Sequence, residues 1–262
     1  MRMKKILPVV MAGALTVGCA FALTSCGEKS VKDGQTLVVG ITDYAPMDYL
    51  ENEEWTGFDA ELAKKTFTDL GYKVEFKEID WETKIVTLNT GKIDVIWNGM
   101  TVTDNLLDNL LLSNVYLQNQ QYAVVKTENV SSYTELSDIE GKTVSVESGS
   151  AADEALKDYA DKATIRKPSS QSAAVMEVST GVADIAIVDY TMALTLTSEG
   201  SDYYGTLSMV DLGFELEEYA VAFRKADSRL CWNVNRKLTE YYKDGTIASL
   251  AKKYGLENLL VD

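Results

Sequence analysis

Histidine is absent from this 262-residue chain, which also has only three cysteines and three prolines. Without histidine, the chain cannot build histidine-ligated metal sites, Ser-His-Asp or Cys-His nucleophile pairs, or imidazole acid-base catalysis. The mechanisms of most hydrolases are therefore excluded. Basic residues are also scarce, because 25 of them face 40 acidic residues, which gives a net charge of −15. Such a chain repels phosphate backbones, which argues against a nucleic-acid partner.

The composition that remains is that of a globular protein. Hydrophobic residues make up 46% of the chain, charged residues 25% and aromatic residues 9%, which is enough apolar material for a stable core. The length allows one large domain or two small ones.

The first 25 residues have the layout of a signal peptide, with a basic start followed by an apolar run from Ile6 to Leu23. The segment from Leu23 to Cys26 resembles the bacterial lipobox, whose cysteine is diacylated and becomes the N-terminus. Cys19 is a poorer match because no leucine lies three positions before it. We therefore predict lipidation at Cys26 and a flexible tether over residues 26–35, with an ordinary secretory leader as the alternative. This predicts a protein anchored on the extracellular face of the bacterial cell membrane.

Cys231 is then the only other cysteine of the mature chain, so no intramolecular disulfide is expected. It shares helical spacing with Val234, Leu238 and Tyr242, which predicts a small buried side chain and not a reactive thiol.

Strand-like apolar runs alternate with helix-like segments twice, over residues 37–97 and again over residues 143–188. This alternation predicts two α/β lobes, each with a mostly parallel sheet flanked by helices. A short internal repeat supports related lobes, because Thr90, Gly91 and Asp94 recur 90 residues later as Thr180, Gly181 and Asp184, each set before an apolar strand.

Two extended segments, residues 120–125 and 219–223, are predicted to cross between the lobes and to act as a hinge. Lobe one is then discontinuous and comprises residues 36–125 plus 219–262, whereas lobe two comprises residues 126–218. A ligand cleft is expected between the lobes, where strand ends and helix starts meet.

In these segments the chain resembles the extracellular solute-binding protein family that delivers polar amino acids to ABC importers. The resemblance implies a type II periplasmic-binding-protein-like fold whose two lobes close on a ligand and deliver it to a membrane permease. It also implies a monomer that has no cofactor, no metal and no catalytic activity. The segments that carry the resemblance are residues 57–63, 80–81, 88–96, 98–103, 113–116, 144–150, 183–189 and 244–246.

The resemblance implies a ligand held between aromatic side chains of lobe one. Tyr44, beside Asp43, and Trp81 match these positions and offer rigid apolar walls that also attract cations; the alternative for both is a cover over the lobe core. A loop that contacts the ligand in the family corresponds here to Asn98, Gly99, Met100 and Thr101.

Lobe two is implied to supply the polar end of the site. Asp189 matches the aspartate that binds the α-ammonium group, although a solvated loop aspartate is the alternative. Gly149 and Ser150 open a helix whose free amides attract a carboxylate, although Ser150 is also a suitable ordinary N-cap. Glu147 adds a further negative charge to the predicted pocket.

One departure from the family changes the expected ligand. The family usually has an arginine that clamps the α-carboxylate at the position of Leu106. Because leucine cannot donate a hydrogen bond, we expect an acidic pocket that favours a cationic amino acid or an amine. Lys84 and Arg166 remain candidates for the missing role.

Two other functions remain open at this stage. An extracellular sensory module would use the same fold without an importer. A dehydratase or a lytic enzyme on this fold would need a general acid in the cleft, for which Glu147 is the candidate.

Overall fold

A computed structural model describes residues 34–261. The predicted signal peptide, the predicted lipidation site Cys26 and residues 27–33 of the predicted tether lie outside the described residues. The strands are β1 (Thr36–Ile41), β2 (Tyr49–Glu51), β3 (Glu54–Thr56), β4 (Lys73–Glu78), β5 (Val95–Ile96), β6 (Leu111–Leu112), β7 (Leu117–Lys126), β8 (Thr143–Ser145), β9 (Thr164–Arg166), β10 (Ile185–Asp189), β11 (Leu207–Val210), β12 (Leu216–Tyr219) and β13 (Ala222–Phe223). The helices are α1 (Phe58–Asp69), α2 (Lys84–Asn89), α3 (Asp104–Asn109), α4 (Ala151–Ala155), α5 (Gln171–Thr180), α6 (Tyr190–Thr197), α7 (Ser228–Lys243) and α8 (Thr246–Tyr254).

The strands form two main sheets, one in each lobe, and the predicted two-lobe α/β fold is confirmed. The first sheet has the order β4-β1-β5-β13-β6, and the second has the order β11-β7-β10-β8-β9. Both sheets are mixed, whereas mostly parallel sheets were predicted. In the first, β13 runs antiparallel to β5 and β6, and in the second, β7 runs antiparallel to β10 and β11. The antiparallel pairs are thus made by β13 in the first sheet and by β7 in the second.

The crossing between the lobes is made by β7 and β12, which pair with residue 117 opposite residue 219 and residue 120 opposite residue 216. The pair begins a few residues earlier than predicted, because its first part is polar (Gln118, Asn119 and Gln120), whereas residues 121–125, which are apolar after Gln121, pair with β10 in the second sheet. We keep the predicted lobe boundaries as a proposal, although residues 121–125 already belong to the second sheet by pairing.

The internal repeat has the same structural role in both lobes. Gly91 and Gly181 have φ angles of 73° and 78°, and each lies one or two residues after the end of a helix. The Asp94 carboxylate accepts a hydrogen bond from Val38 N at 3.1 Å, and the Asp184 carboxylate accepts one from Thr143 N at 2.8 Å. Each aspartate therefore ties the start of its own strand to the neighbouring parallel strand.

The C-terminal segment completes lobe one. The predicted helix over residues 228–243 is α7, whose buried face includes Cys231, Val234 and Leu238. Cys231 is a free, buried cysteine, as predicted. Just before α7, the Arg224 guanidinium donates to Ile93 O at 2.7 Å and to Asp94 Oδ1 at 3.1 Å, which fixes the returning chain to the first sheet. Within residues 34–261, none of the helices combines the length and the apolar character needed to cross a bilayer.

Candidate functional site

A cavity between the two lobes is formed where β1, β5, β8 and β10 end. It encloses about 600 Å³ of empty space, including its open mouth. All the residues that the sequence predicted for a ligand site line this one cavity, namely Asp43, Tyr44, Trp81, Asn98, Gly99, Met100, Thr101, Glu147, Gly149, Ser150 and Asp189. The structure therefore brings the predicted set together, and their role in binding stays a prediction.

The loops after β1 and β5 form the lobe-one wall, and Asn98 holds them together. Its Oδ1 accepts from Thr42 N at 2.6 Å, and its Nδ2 donates to Thr42 Oγ1 at 2.8 Å. The Asn98 side chain is therefore occupied within the wall, which leaves the backbone of this loop to face a ligand.

Gly99 and Tyr44 are in close contact in this wall. Gly99 has a φ angle of 51°, and a Cβ atom at this position would lie 2.6 Å from Cε1 of Tyr44 and 3.2 Å from Cε2 of Tyr219. Only glycine fits both this conformation and this spacing. The loop is held from behind because Gly99 N donates to the buried Asp59 carboxylate. The Tyr44 hydroxyl shares hydrogen bonds with Tyr219 and with Thr191 of lobe two.

Trp81 and Lys84 form the side of the cavity near α2. The Lys84 ammonium lies 4.6 Å from the centroid of the Trp81 ring. It donates to Trp81 O at 3.2 Å and, across the cleft, to Gly149 O at 2.7 Å. Burial lowers the pKa of Lys84 to about 8, and the nearby Glu147 carboxylate opposes this lowering. Lys84 and Tyr44 thus each bond to lobe two, so the cleft is closed in this structure.

The lobe-two wall is acidic. Burial and, less strongly, the charge of Asp189 together raise the pKa of Glu147 to about 8, against the lowering effect of Lys84. Asp189 is also buried, and its carboxylate accepts hydrogen bonds from the side-chain amides of Asn119, Gln121 and Gln171. Burial raises the pKa of Asp189, while these hydrogen bonds lower it. The alternative of a solvated loop aspartate is therefore wrong.

Two hydroxyl groups at the cavity are already engaged. Thr101 Oγ1 donates to Glu217 Oε2 at 2.9 Å, so it can only accept from a ligand. Ser150 caps α4 by accepting from Asp153 N at 3.1 Å, so its own hydrogen is free to donate. Because α4 spans only Ala151–Ala155, the helix contributes a weaker dipole than the sequence predicted.

The carboxylate clamp of the family has no guanidinium replacement here. Leu106 lines the cavity and is buried. Arg166 forms a two-point ion pair with Glu177, at 2.8 Å for each bond, and does not line the cavity. Lys84 is the only lysine or arginine among the residues that line the cavity.

Some residues at the cavity were not singled out from the sequence. Gln171 is the most important, because its side-chain oxygen accepts from Asp189 N at 2.8 Å while its nitrogen donates to the same residue's carboxylate. In the sequence it is simply the first residue after a serine N-cap, which carries no signal of a site. The others are Thr42, Thr103, Asn105, Ala151, Glu154 and Met192.

Comparison with known proteins identifies similar chains. The family model described as bacterial extracellular solute-binding proteins, family 3, matches residues 37–257. The arginine-binding extracellular protein ArtP of Bacillus subtilis is 31% identical over 258 residues, which cover 96% of this chain and 98% of ArtP. An ancestral arginine-binding protein, solved with arginine bound, superimposes with a TM-score of 0.78 at 34% identity over 84% of this chain and 97% of its own. The ancestral amino acid-binding protein AncCDT-1, a precursor of cyclohexadienyl dehydratase, gives 0.76 at 33% identity over 84% and 95%.

Proposed function

The chain belongs to the bacterial extracellular solute-binding proteins, family 3, and we propose that it captures an amino acid, or an amine of similar size, for the permease of an ABC importer. The observation that carries this proposal is the cavity between the lobes, which gathers aromatic rings, backbone amides and carboxylates.

The charges around the cavity favour a cationic ligand. Among the described residues, the carboxylates of Asp43, Glu154 and Asp189 line the cavity against the single ammonium of Lys84, and Glu147 adds a carboxyl group whose pKa is about 8. With Leu106 in place of a clamping arginine, a ligand carboxylate would lack the two-point partner that the family supplies. Arginine, lysine and simple diamines are therefore the ligands we expect.

The family description places its members outside the cytoplasm. A lipid anchor at Cys26 is part of our proposal and is supported by the resemblance of Leu23 to Cys26 to a lipobox. The anchor would keep the binding protein next to its permease, because two acyl chains give stable membrane attachment.

A dehydratase is the second candidate, and one observation favours it. Glu147 faces the cavity with a pKa of about 8, so it is largely protonated at neutral pH, as a general acid must be. Similarity to AncCDT-1 is compatible with either function, because that protein is described both as amino acid-binding and as a precursor of an enzyme.

A thermal-shift screen of the mature protein tests the proposal, with the twenty amino acids and a panel of amines. A ligand present at a hundred times its Kd adds about 2.7 kcal/mol of stability. For a protein of this size, that stabilisation raises Tm by roughly 5 to 10 °C. Mass spectrometry of the recovered ligand then separates the two candidates, since a binding protein returns it unchanged and an enzyme does not. A screen in which no amino acid or amine raises Tm contradicts the proposed function.

A further inference from the structure

A second carboxylate lies behind Asp189. Glu217 belongs to β12, and the register of the crossing strands sets it opposite Asn119 of β7. Its side chain does not line the cavity. Glu217 Oε2 accepts hydrogen bonds from Thr101 Oγ1 at 2.9 Å, Asn119 Nδ2 at 2.9 Å and Gln121 Nε2 at 2.8 Å.

The same two amides also bind Asp189. Asn119 Nδ2 donates to Asp189 Oδ1 at 2.7 Å, and Gln121 Nε2 donates to it at 2.6 Å. Asp189 Oδ1 and Glu217 Oε2 both accept a hydrogen bond from Gln121 Nε2. The two carboxylate oxygens therefore lie no farther apart than the sum of these two hydrogen-bond lengths. The buried Asp189 carboxylate and the partly buried Glu217 carboxylate are therefore held as a pair by two side chains of the crossing strand β7.

No basic group neutralises this pair within residues 34–261, where neither carboxylate takes part in an ion pair. The titratable groups that face it are the hydroxyls of Tyr44 and Tyr219 and, across the cavity wall, Glu147. Lys84 interacts with Glu147. Two carboxyl groups at this separation cannot both ionise freely. Either the pair keeps one proton, or both groups are ionised only when a cation binds beside them.

We propose that Glu217 is a positioning residue that sets the charge of the binding site through Asp189. In this proposal Asp189 and Glu217 share one proton, and the proton is released to solvent when a cationic group of the ligand binds Asp189. This inference rests on the proposed capture of a cationic amino acid or amine. The direction of the pKa shift is consistent with a proton held by the pair, since burial and the charge of Asp189 both raise the pKa of Glu217. Binding of a cation favours the ionised pair, so affinity rises with pH until the pair is fully ionised.

Calorimetric titration with L-arginine as the probe tests the proposal, in two buffers whose ionisation enthalpies differ. For the wild type, we expect proton release and a Kd that falls by up to about tenfold per pH unit over the pH range in which the pair loses its proton. Glu217→Gln keeps an oxygen that accepts from the same amides but cannot hold the proton. We expect this variant to release fewer protons and to show a shallower pH slope than the wild type, with the remaining release coming from Glu147. Glu218→Gln, at the exposed neighbouring residue of β12, is the matched control and should behave like the wild type.

Unchanged proton release and pH slope in Glu217→Gln would overturn the proposal. A second measurement does not need a ligand and separates this inference from the proposed function. Carbon-detected NMR of the ligand-free wild type should show the side-chain carboxyl signals of Asp189 and Glu217 titrating in two linked steps. In Asp189→Asn, the Glu217 midpoint should fall by about one pH unit. Independent titrations, or a Glu217 midpoint unmoved by Asp189→Asn, would refute the shared proton even where arginine binds.

Discussion

Gly99→Ala tests the contact on which the lobe-one wall depends. The new methyl group would lie 2.6 Å from Tyr44 Cε1 and within 3.3 Å of two ring atoms of Tyr219. Neither ring can turn away freely, because their hydroxyls are bonded to each other at 2.8 Å. A positive φ angle costs an L-residue roughly 1 to 2 kcal/mol. The crowded methyl group adds about 1 to 3 kcal/mol.

Gly91→Ala is the matched control for this substitution. Gly91 also has a positive φ angle, 73°, but an added Cβ there would meet no atom within 4 Å. The free energy of unfolding of the control should therefore fall only by the conformational cost, about 1 to 2 kcal/mol. That of Gly99→Ala should fall by about 2 to 5 kcal/mol. Urea unfolding of both variants, followed by tryptophan fluorescence, measures the difference in the free energy of unfolding. Equal losses in the two variants would refute the close contact between this loop and the tyrosine rings.

The remaining predictions concern the ligand, the cavity charges and the anchor. Asp189→Ala removes the proposed ammonium partner and the acceptor of the Gln171 side-chain amide, so we expect Kd for arginine to rise by about thirtyfold or more in calorimetry; an unchanged Kd contradicts this role. Leu106→Arg should shift preference from arginine towards glutamate, and tighter arginine binding would count against the acidic pocket. Lys84→Met removes the charge that lowers the pKa of Glu147, so NMR should find the Glu147 midpoint above about 8; a lower midpoint would show that Lys84 does not act on it. Cys26→Ala should leave the protein unprocessed or released, and a processed variant retained in the membrane fraction would exclude the anchor.

Elements with a strong amphipathic pattern could be predicted closely from the sequence. The helix α7 has the predicted bounds because its apolar spacing is uninterrupted over sixteen residues. The cavity-lining residues followed from strand ends and from the resemblance to a family, since side chains at the carboxyl ends of neighbouring strands converge in α/β folds. The mixed pairing of the sheets could not be foreseen, because an apolar run fits a parallel or an antiparallel neighbour equally well.

The parts of the site that were missed depend on tertiary register. Glu217 stands next to Glu218 in a polar stretch, which in the sequence looks like a solvated surface. Only the pairing of β12 with β7 places it opposite Asn119 and turns it towards Asp189. Lys84 was a candidate from the sequence, but its hydrogen bond to Gly149, 65 residues away in the chain, was not predicted. Contacts between residues so far apart in the chain produce no periodic pattern in a single sequence.

The position of β13 in the first sheet has a consequence for the order of folding during synthesis. This strand lies between β5 and β6, so β6 at residues 111–112 is joined to the sheet only when residues 222–223 arrive. The whole of the second lobe is translated in that interval. A nascent chain can thus complete the second lobe while the first still exposes an unpaired strand edge. The first sheet is completed only when β13, near the end of the polypeptide, has been synthesised. A chain truncated before Ala222 should therefore keep the second lobe protected from proteolysis while the first is cleaved.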